Sequence, residues 1–475
     1  MNMSGLRKNS IFSSDSIPCF LSGSAAAFGF YHSCYGLLSC HGLARRWMLY
    51  LDYGLCLLWM AALGMSLLSR FWLAQKGEKR KAVLAPAGID IGFWLLVLLM
   101  GLIFCSALLT EKVIPGSFRL NRGCIYDAAV SFFVLYPLGR YWGRQKTDTI
   151  FRGYLLVITL LFSLCLLLGM VVAFAEDGLT LSQYFYFREQ RFSFNTNPNV
   201  AALSCCLLLF TALYGFLRGG RAEKILYFLC GVVLYVALML SDSRGCILSL
   251  ALGLSILAAV FVWDRTAKRK KPVRFFMAIM AVIVVMLTIL ACREGTRHIL
   301  SNWEREPVTV AVENKNDEHV QAPSSGAPER SMVDKKGSGR IKAWKTAFKA
   351  LKNEPGLWFR GCGPYNIPDV LVANGVINPK NTHNQLLELL LGYGVMPLIV
   401  FLAWLLWLAW KCVNLGFNKA FDWALRVLPA GIFAMVMCNM FEARLLFYRY
   451  FIGSMFFLLA GLVSASAPKN REASK

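Results

Sequence analysis

The chain has 475 residues, of which 57% are hydrophobic and 16% charged, with a mean hydropathy of +0.52. Roughly a quarter of an average soluble protein is Asp, Glu, Lys and Arg, so this composition excludes a set of ordinary soluble domains and indicates a membrane protein. The net charge of +23 would favour nucleic acid as a partner of a soluble chain. In a membrane protein, however, Lys and Arg collect in cytoplasmic loops, so we predict no nucleic-acid partner.

Apolar runs of about 20 residues can cross the hydrocarbon core of a bilayer as helices. Eleven runs are clear, and a weaker twelfth at residues 17–40 is diluted with Ser, Gly and His. We therefore predict an all-α, polytopic helical bundle of about twelve transmembrane helices. The clear runs are 47–69, 89–109, 123–138, 153–174, 197–217, 225–240, 246–263, 274–292, 385–410, 424–440 and 445–463.

Lys and Arg are concentrated in alternate connections between the predicted spans, and the intervening short connections hold few. Positively charged loops stay in the cytoplasm, so this pattern places the C-terminus there and the connection before residue 385 outside. An even number of spans places the N-terminus in the cytoplasm too, although Arg45 and Arg46 then fall outside.

The long connection divides the chain into three parts. We predict N-terminal transmembrane helices at 1–292, an extracytoplasmic loop at 293–384 and C-terminal transmembrane helices at 385–475. Within the loop, residues 304–339 are poor in hydrophobic residues and contain Pro, Ser and Gly. Such a composition predicts a mobile insertion.

The segment 340–353 predicts an amphipathic helix, because apolar residues recur at helical spacing beside a stripe of lysines. This helix either lies at the headgroup level, where it attracts anionic lipid groups, or packs as a solvated helix on the outer ends of the spans. The two stripes are Ile341, Trp344, Phe348 and Leu351, and Lys342, Lys345, Lys349 and Lys352.

The turn SDSRG, residues 241–245, joins two predicted spans with almost no loop and holds Arg244 at the outer membrane surface. A guanidinium fixed there can bind a phosphate through two hydrogen bonds. The alternative is an interfacial anchor. The Gly-rich segment GCGPYN, residues 361–366, lets the backbone turn tightly but lacks the GK[ST] of a phosphate-binding P-loop, so a plain loop turn is its alternative.

The segment NTHNQLLE, residues 381–388, immediately precedes a predicted span. Of the five histidines, His383 sits beside other polar groups at an outer helix start, where a partner can tune it as an acid or a base. The alternatives are a structural histidine and a helix cap, since Thr and Asn commonly cap helices. With no second His or acid at ligand spacing, we predict no bound metal.

Acidic and basic residues are nearly absent from the middle of the predicted spans, where ion-coupled transport usually needs them. Polar chemistry is instead concentrated on the outer face, which favours an enzyme acting there. Two alternatives stay open: a polytopic lipid or polysaccharide transporter resembling a flippase, and a non-catalytic membrane scaffold.

Four motifs, taken in chain order, resemble the O-antigen ligase and O-antigen polymerase family of bacterial membrane glycosyltransferases. They are RFSFNTNPNVAAL at 191–203, SDSRG at 241–245, GRIKAWKTAFKALKNEPGLWFRGCGPYN at 339–366 and THNQLLELLLGYGVMPLIVF at 382–401. The resemblance covers about residues 191–400, and the insertion at 304–339 has no counterpart in the family pattern.

The resemblance implies a metal-independent glycosyltransferase of the C superfamily that needs no cofactor. Such an enzyme moves a glycan from a polyprenyl-diphosphate carrier to a glycan, lipid or protein acceptor, at the extracytoplasmic face of the bacterial inner, or cytoplasmic, membrane. A flippase that supplies the donor is a further candidate partner. Whether the chain is a ligase or a polymerase stays open.

The resemblance also implies roles for individual residues. Arg244 and Arg340 match the arginines that hold the diphosphate, and His383 matches the candidate general base. Second candidates, for substrate binding, are Arg191, Asn199 and Asn384, for which packing or capping is the alternative.

Overall fold

The computed structural model describes residues 31, 47–48, 50–51, 54–55, 90–144, 148–175, 185–188, 191–194, 198–301, 340–376, 379, 381–418, 421–446 and 451–466. The predicted insertion at 304–339 lies outside these residues, as do most of the predicted spans at 17–40 and 47–69.

The described part of the chain is mostly helical, as predicted, and seven of its helices are long and apolar enough to cross a membrane. The described helices, in chain order, are α1 (Ile91–Val113), α2 (Ser117–Val130), α3 (Tyr136–Arg144), α4 (Asp148–Ala175), α5 (Pro198–Arg218), α6 (Arg221–Leu240), α7 (Arg244–Arg265), α8 (Lys271–Ser301), α9 (Arg340–Asn353), α10 (Leu357–Arg360), α11 (Ile367–Ala373), α12 (Gln385–Tyr393), α13 (Val395–Phe417), α14 (Val427–Asn439) and α15 (Phe451–Ala465). The seven helices of membrane length are α1, α4 to α8 and α13.

Two predicted spans are interrupted in the structure, and the last two, at 424–440 and 445–463, correspond to the shorter helices α14 and α15. The run at 123–138 is divided among α2, a π-helical turn at Ser131–Leu135 and α3. The run at 385–410 is wrong at its start, because Gly394 at φ +88° separates α12 from α13 and the membrane-length helix begins only at Val395. A left-handed residue cannot continue a right-handed helix, although hydropathy runs through this position without a break.

A β-hairpin interrupts the helices, which the all-α prediction did not include. Strand β1 (Phe185–Arg188) pairs antiparallel with β2 (Arg191–Phe194), and Arg188 is the register partner of Arg191. The hairpin carries Arg191 to the N-terminal end of α5, since only three residues separate β2 from that helix.

The helices form two hydrophobic cores. The larger core lies among the long apolar helices. The smaller one lies in a layer made by α9 to α12, which we call the outer layer. Helix α9 occupies the segment for which the sequence predicts an amphipathic helix, but the predicted apolar stripe is split. Ile341 and Phe348 are each 52% exposed, and small residues replace them on the buried face: Ala343, Ala347 and Ala350, with Leu351.

The outer layer depends on a close backbone approach at Gly394. A Cβ added there would lie 2.5 Å from the carbonyl oxygen of Phe359, far inside contact distance. We therefore expect Gly394→Ala to lower the unfolding temperature of the detergent-purified protein and to disorder the layer that contains α12.

Gly375→Ala is the matched control, because Gly375 also has positive φ (+99°) but has open space around it. Backbone strain alone costs about 1–2 kcal/mol, and we expect Gly394→Ala to cost clearly more. Equal destabilisation by the two variants, measured by thermal unfolding, would show that the clash has no effect.

Candidate active site

A buried carboxylate, Glu442, lies in the connection between α14 and α15 and is only 2% exposed. Its Oε1 accepts hydrogen bonds from Nδ2 of Asn199 at 2.7 Å and from a terminal guanidinium nitrogen of Arg340 at 2.8 Å. Its Oε2 lies 3.2 Å from Nδ1 of His383. The structure thus brings three of the predicted site residues to one carboxylate that the sequence analysis did not select.

The turn before α12 holds His383 in an unusual backbone conformation, with φ +53°. Oδ1 of Asn381 accepts a hydrogen bond from the backbone N–H of His383 at 3.0 Å. The backbone N–H and hydroxyl of Thr382 both donate to the buried carboxylate of Glu388, at 3.0 and 2.8 Å. Positive φ persists in a non-glycine residue where its surroundings hold it, and these contacts supply that restraint.

Asn384 has the geometry of a helix cap. Its Oδ1 accepts hydrogen bonds from the backbone N–H groups of Leu386 and Leu387, at 2.9 and 3.1 Å, and its Nδ2 donates to the carbonyl of Met440 at 3.1 Å. These contacts satisfy the first N–H groups of α12 and tie it to the connection that carries Glu442. Substrate binding by Asn384 stays a prediction.

The predicted SDSRG turn lies directly beside this network. Helix α7 begins at Arg244, and the hydroxyl of Ser243 donates to Oδ1 of Asn199 at 3.0 Å. Arg191 donates to the same oxygen at 2.8 Å and, through Nε, to the carbonyl of Ser241 at 2.8 Å. Arg191 and Asn199 therefore join the Arg244 turn to the Glu442 carboxylate.

A second buried ion pair holds the same turn from α8. Arg293 is fully buried, and its Nε donates to Oδ1 of Asp242 at 2.8 Å; its guanidinium also pairs with Glu294. Asp242 has φ +42°, so the ion pair anchors a strained residue two positions before Arg244. The sequence analysis missed Arg293, which lies near the outer end of a predicted span.

The charges around Glu442 decide its ionisation. Burial alone would raise the pKa of this carboxyl, but the hydrogen bond from His383 and the positive charges of His383, Arg340 and Arg444 together hold it below its ordinary value of 4.5. Glu442 is therefore ionised at neutral pH. An ionised carboxylate can only accept hydrogen bonds, so Nδ1 of His383 carries a proton, and whenever the ring is neutral its lone pair is on Nε2.

This arrangement offers two chemical functions, the binding of an anion and the acceptance of a proton. Arg340 and Arg444 act on Glu442 through their charges, and Arg191 is joined to it through Asn199, so the site has an excess of positive charge that suits a multiply charged anion. Nε2 of His383 can accept a proton. Among the residues that the structure describes, no group of three or more His, Cys, Asp or Glu side chains is arranged to hold a metal ion.

The GCGPYN segment has a structural role. The backbone N–H groups of Cys362 and Gly363 donate to the carbonyls of Leu391 and Gly392, each at 2.8 Å, so the segment packs against the end of α12. Oδ1 of Asn121 accepts a hydrogen bond from the backbone N–H of Tyr365 at 2.9 Å. These contacts fit the loop-turn alternative and connect the outer layer to α2.

One signal for Glu442 was present in the sequence. Asn439, Glu442 and Arg444 are polar residues between two apolar runs, in a connection that the loop charges predict to lie on the same side of the membrane as the other candidates. Arg444 also takes part in the site through its charge, and Oδ1 of Asn439 accepts its backbone N–H at 2.9 Å.

The comparisons agree with the family that the motifs predict. The model of the O-antigen ligase family matches residues 226–402, which include Arg244, Arg340 and His383. The match supports the predicted family assignment through that stretch, and with the seven apolar helices it points to a multi-pass bacterial membrane protein with a glycan-transfer function. Arg191, Asn199 and Glu442 lie outside the matched range. No curated protein matches the chain.

The lowered pKa of Glu442 predicts a pH-dependent contribution to stability. The ionised carboxylate stabilises the fold above its ordinary pKa of 4.5, and this stabilisation is lost as the pH falls through the lowered pKa. We expect Glu442→Gln to lower stability at neutral pH by about 1.5–3 kcal/mol, the range for hydrogen bonds to charged groups.

Thermal unfolding of the wild type and the variant in detergent, over a series of pH values, measures this difference. The difference in stability between the wild type and Glu442→Gln should become smaller as the pH falls below 4.5. A difference that stays constant with pH would contradict a lowered pKa for Glu442. Glu354→Gln is the control, because Glu354 also pairs with an arginine, Arg360, but is 54% exposed and should contribute little.

Proposed function

We propose that this chain, a member of the O-antigen ligase family through residues 226–402, transfers a glycan from a polyprenyl-diphosphate carrier to an acceptor at the extracytoplasmic face of the bacterial cytoplasmic membrane. The observation that carries the proposal is the convergence of Arg340, His383 and Asn199 on buried Glu442, beside the SDSRG turn that leads into α7 at Arg244. Cationic groups for a diphosphate and a base for an acceptor hydroxyl then lie in one site.

Arg244 and Arg340 bind the diphosphate of the donor in this proposal. Each guanidinium has five N–H donors in a planar fork, and Arg340 uses one terminal nitrogen for Glu442. The side chain of Arg340 is 22% exposed, so an anion can reach it. Negative charge grows on the diphosphate as the glycosidic bond breaks, and fixed guanidinium groups stabilise that charge.

His383 activates the acceptor. Nε2 takes the proton of the acceptor hydroxyl while the hydroxyl oxygen attacks the anomeric carbon of the donor sugar. The bond from that carbon to the diphosphate oxygen breaks, and the polyprenyl diphosphate leaves with the bonding electrons. Direct displacement inverts the anomeric configuration. The side chain of His383 is 29% exposed, which supports access from outside the protein.

The charge pattern supports the proposed sidedness. The site lies where α6 ends and α7 begins, and the Lys- and Arg-rich connection after α7 lies at the opposite end of that helix. Because such connections stay in the cytoplasm, the site faces outward and a flippase must deliver the donor to it.

The proposal predicts that Arg244→Ala, Arg340→Ala and His383→Ala each reduce glycan transfer by about 10²-fold or more without lowering the amount of protein in the membrane. The measurement resolves lipid-linked and mature surface glycans by gel in native-host cells. Arg297→Ala is the control, since Arg297 pairs with Glu294 and not with Glu442. Normal glycans in all three variants at normal protein levels would refute a transferase and favour a scaffold.

The same gel separates the two activities of the family. A pool of single lipid-linked repeats in the variants indicates a polymerase, because chain extension has failed. A pool of long lipid-linked chains beside bare acceptor indicates a ligase, because only the final transfer has failed.

A further inference from the structure

We propose, on the basis of the glycan-transfer function above, that Glu442 is a positioning residue that couples donor binding to activation of His383. Before donor binds, the carboxylate divides its charge mainly between Arg340 and His383, which contact it, with a further contribution from the charge of Arg444. Diphosphate that binds Arg340 draws this guanidinium away from the carboxylate, so that the charge of Glu442 then acts mainly on His383.

The geometry separates the two halves of the carboxylate. Oε1 faces Arg340 at 2.8 Å and Oε2 faces Nδ1 of His383 at 3.2 Å. Glu442 is almost completely buried, so water does not screen its charge and each cation beside it changes how strongly it attracts the other. One carboxylate therefore links the residue proposed to bind the donor with the residue proposed to activate the acceptor.

Asn199 keeps the carboxylate in place when Arg340 turns to the donor. Its Nδ2 donates to Oε1 of Glu442 at 2.7 Å, and its own oxygen is held by Arg191 at 2.8 Å and Ser243 at 3.0 Å. Oε1 thus retains a neutral hydrogen-bond donor after the guanidinium engages phosphate. The carboxylate stays aimed at His383, and only the balance of charge around it changes.

This coupling makes His383 a stronger base while the donor is bound. His383 becomes an imidazolium as it accepts the acceptor proton, and the carboxylate behind Nδ1 stabilises that cation. With less of its charge opposed by Arg340, Glu442 stabilises the imidazolium more. The base is therefore most effective when a donor occupies the site.

Glu442→Gln separates this role from a purely structural one, because the two measurable effects have opposite signs. The variant lacks the charge that competes with phosphate for Arg340, whose side chain is 22% exposed, so it should bind farnesyl diphosphate about two- to fivefold more tightly. Its rate of transfer from saturating lipid-linked glycan, extracted from the native host, should fall by about 10²- to 10⁴-fold.

Two further variants define the comparison. Glu442→Asp keeps the charge but is one methylene shorter, so we expect farnesyl diphosphate affinity near that of the wild type and slow transfer, because the carboxylate no longer reaches both partners. Glu354→Gln removes an arginine-paired carboxylate of the outer layer and should change neither quantity.

Each result decides the proposal. If Glu442→Gln lowers both affinity and rate, Glu442 only maintains the structure, and if the rate is unchanged, Glu442 does not act on His383. Unchanged affinity would show that the carboxylate does not compete with phosphate. Failure of the wild type itself to transfer glycan would instead refute the glycan-transfer function, whatever the variants do.

Discussion

Burial of a charged carboxylate is the constraint on which the end of the protein that holds the candidate site depends. A carboxylate removed from water is stable in its ionised form only when cations and hydrogen-bond donors surround it. Glu442 obtains these from Asn199, Arg340 and His383, which belong to three segments far apart in the chain. The requirement to satisfy one buried group therefore assembles the residues that carry the proposed chemistry.

A rigid frame makes this assembly specific. His383 and Asp242 both have positive φ, and each is restrained by contacts to a different element, the first through the turn that Glu388 binds and the second through buried Arg293. The close backbone approach at Gly394 sets α12 apart from α13. The strained residues are thus held by packing and buried polar contacts, which is how a site keeps its geometry without a substrate.

The same arrangement suits a reaction that releases a diphosphate. The long helices are apolar, and the network around Glu442 is built where α5 and α7 begin and just beyond the end of α14. In the proposed function, a lipid carrier remains in the bilayer while its diphosphate meets guanidinium groups of this network. The family match includes Arg244, Arg340 and His383 but not Glu442. The buried carboxylate comes from the connection between α14 and α15, beyond the matched residues.

The sequence by itself determined the membrane class and the approximate positions of the long helices, and it nominated Arg244, Arg340 and His383 as candidates, because hydrophobic length and short polar motifs are properties of contiguous residues. Only the tertiary structure decided that Glu442 joins them. Its partners lie 59, 102 and 243 positions away, and a single Glu between two apolar runs has no local sign of burial. The sequence analysis also missed the break between α12 and α13 at Gly394. Hydropathy is continuous there, and it carries no information about the backbone of Phe359, which packs against Gly394 from a distant part of the chain.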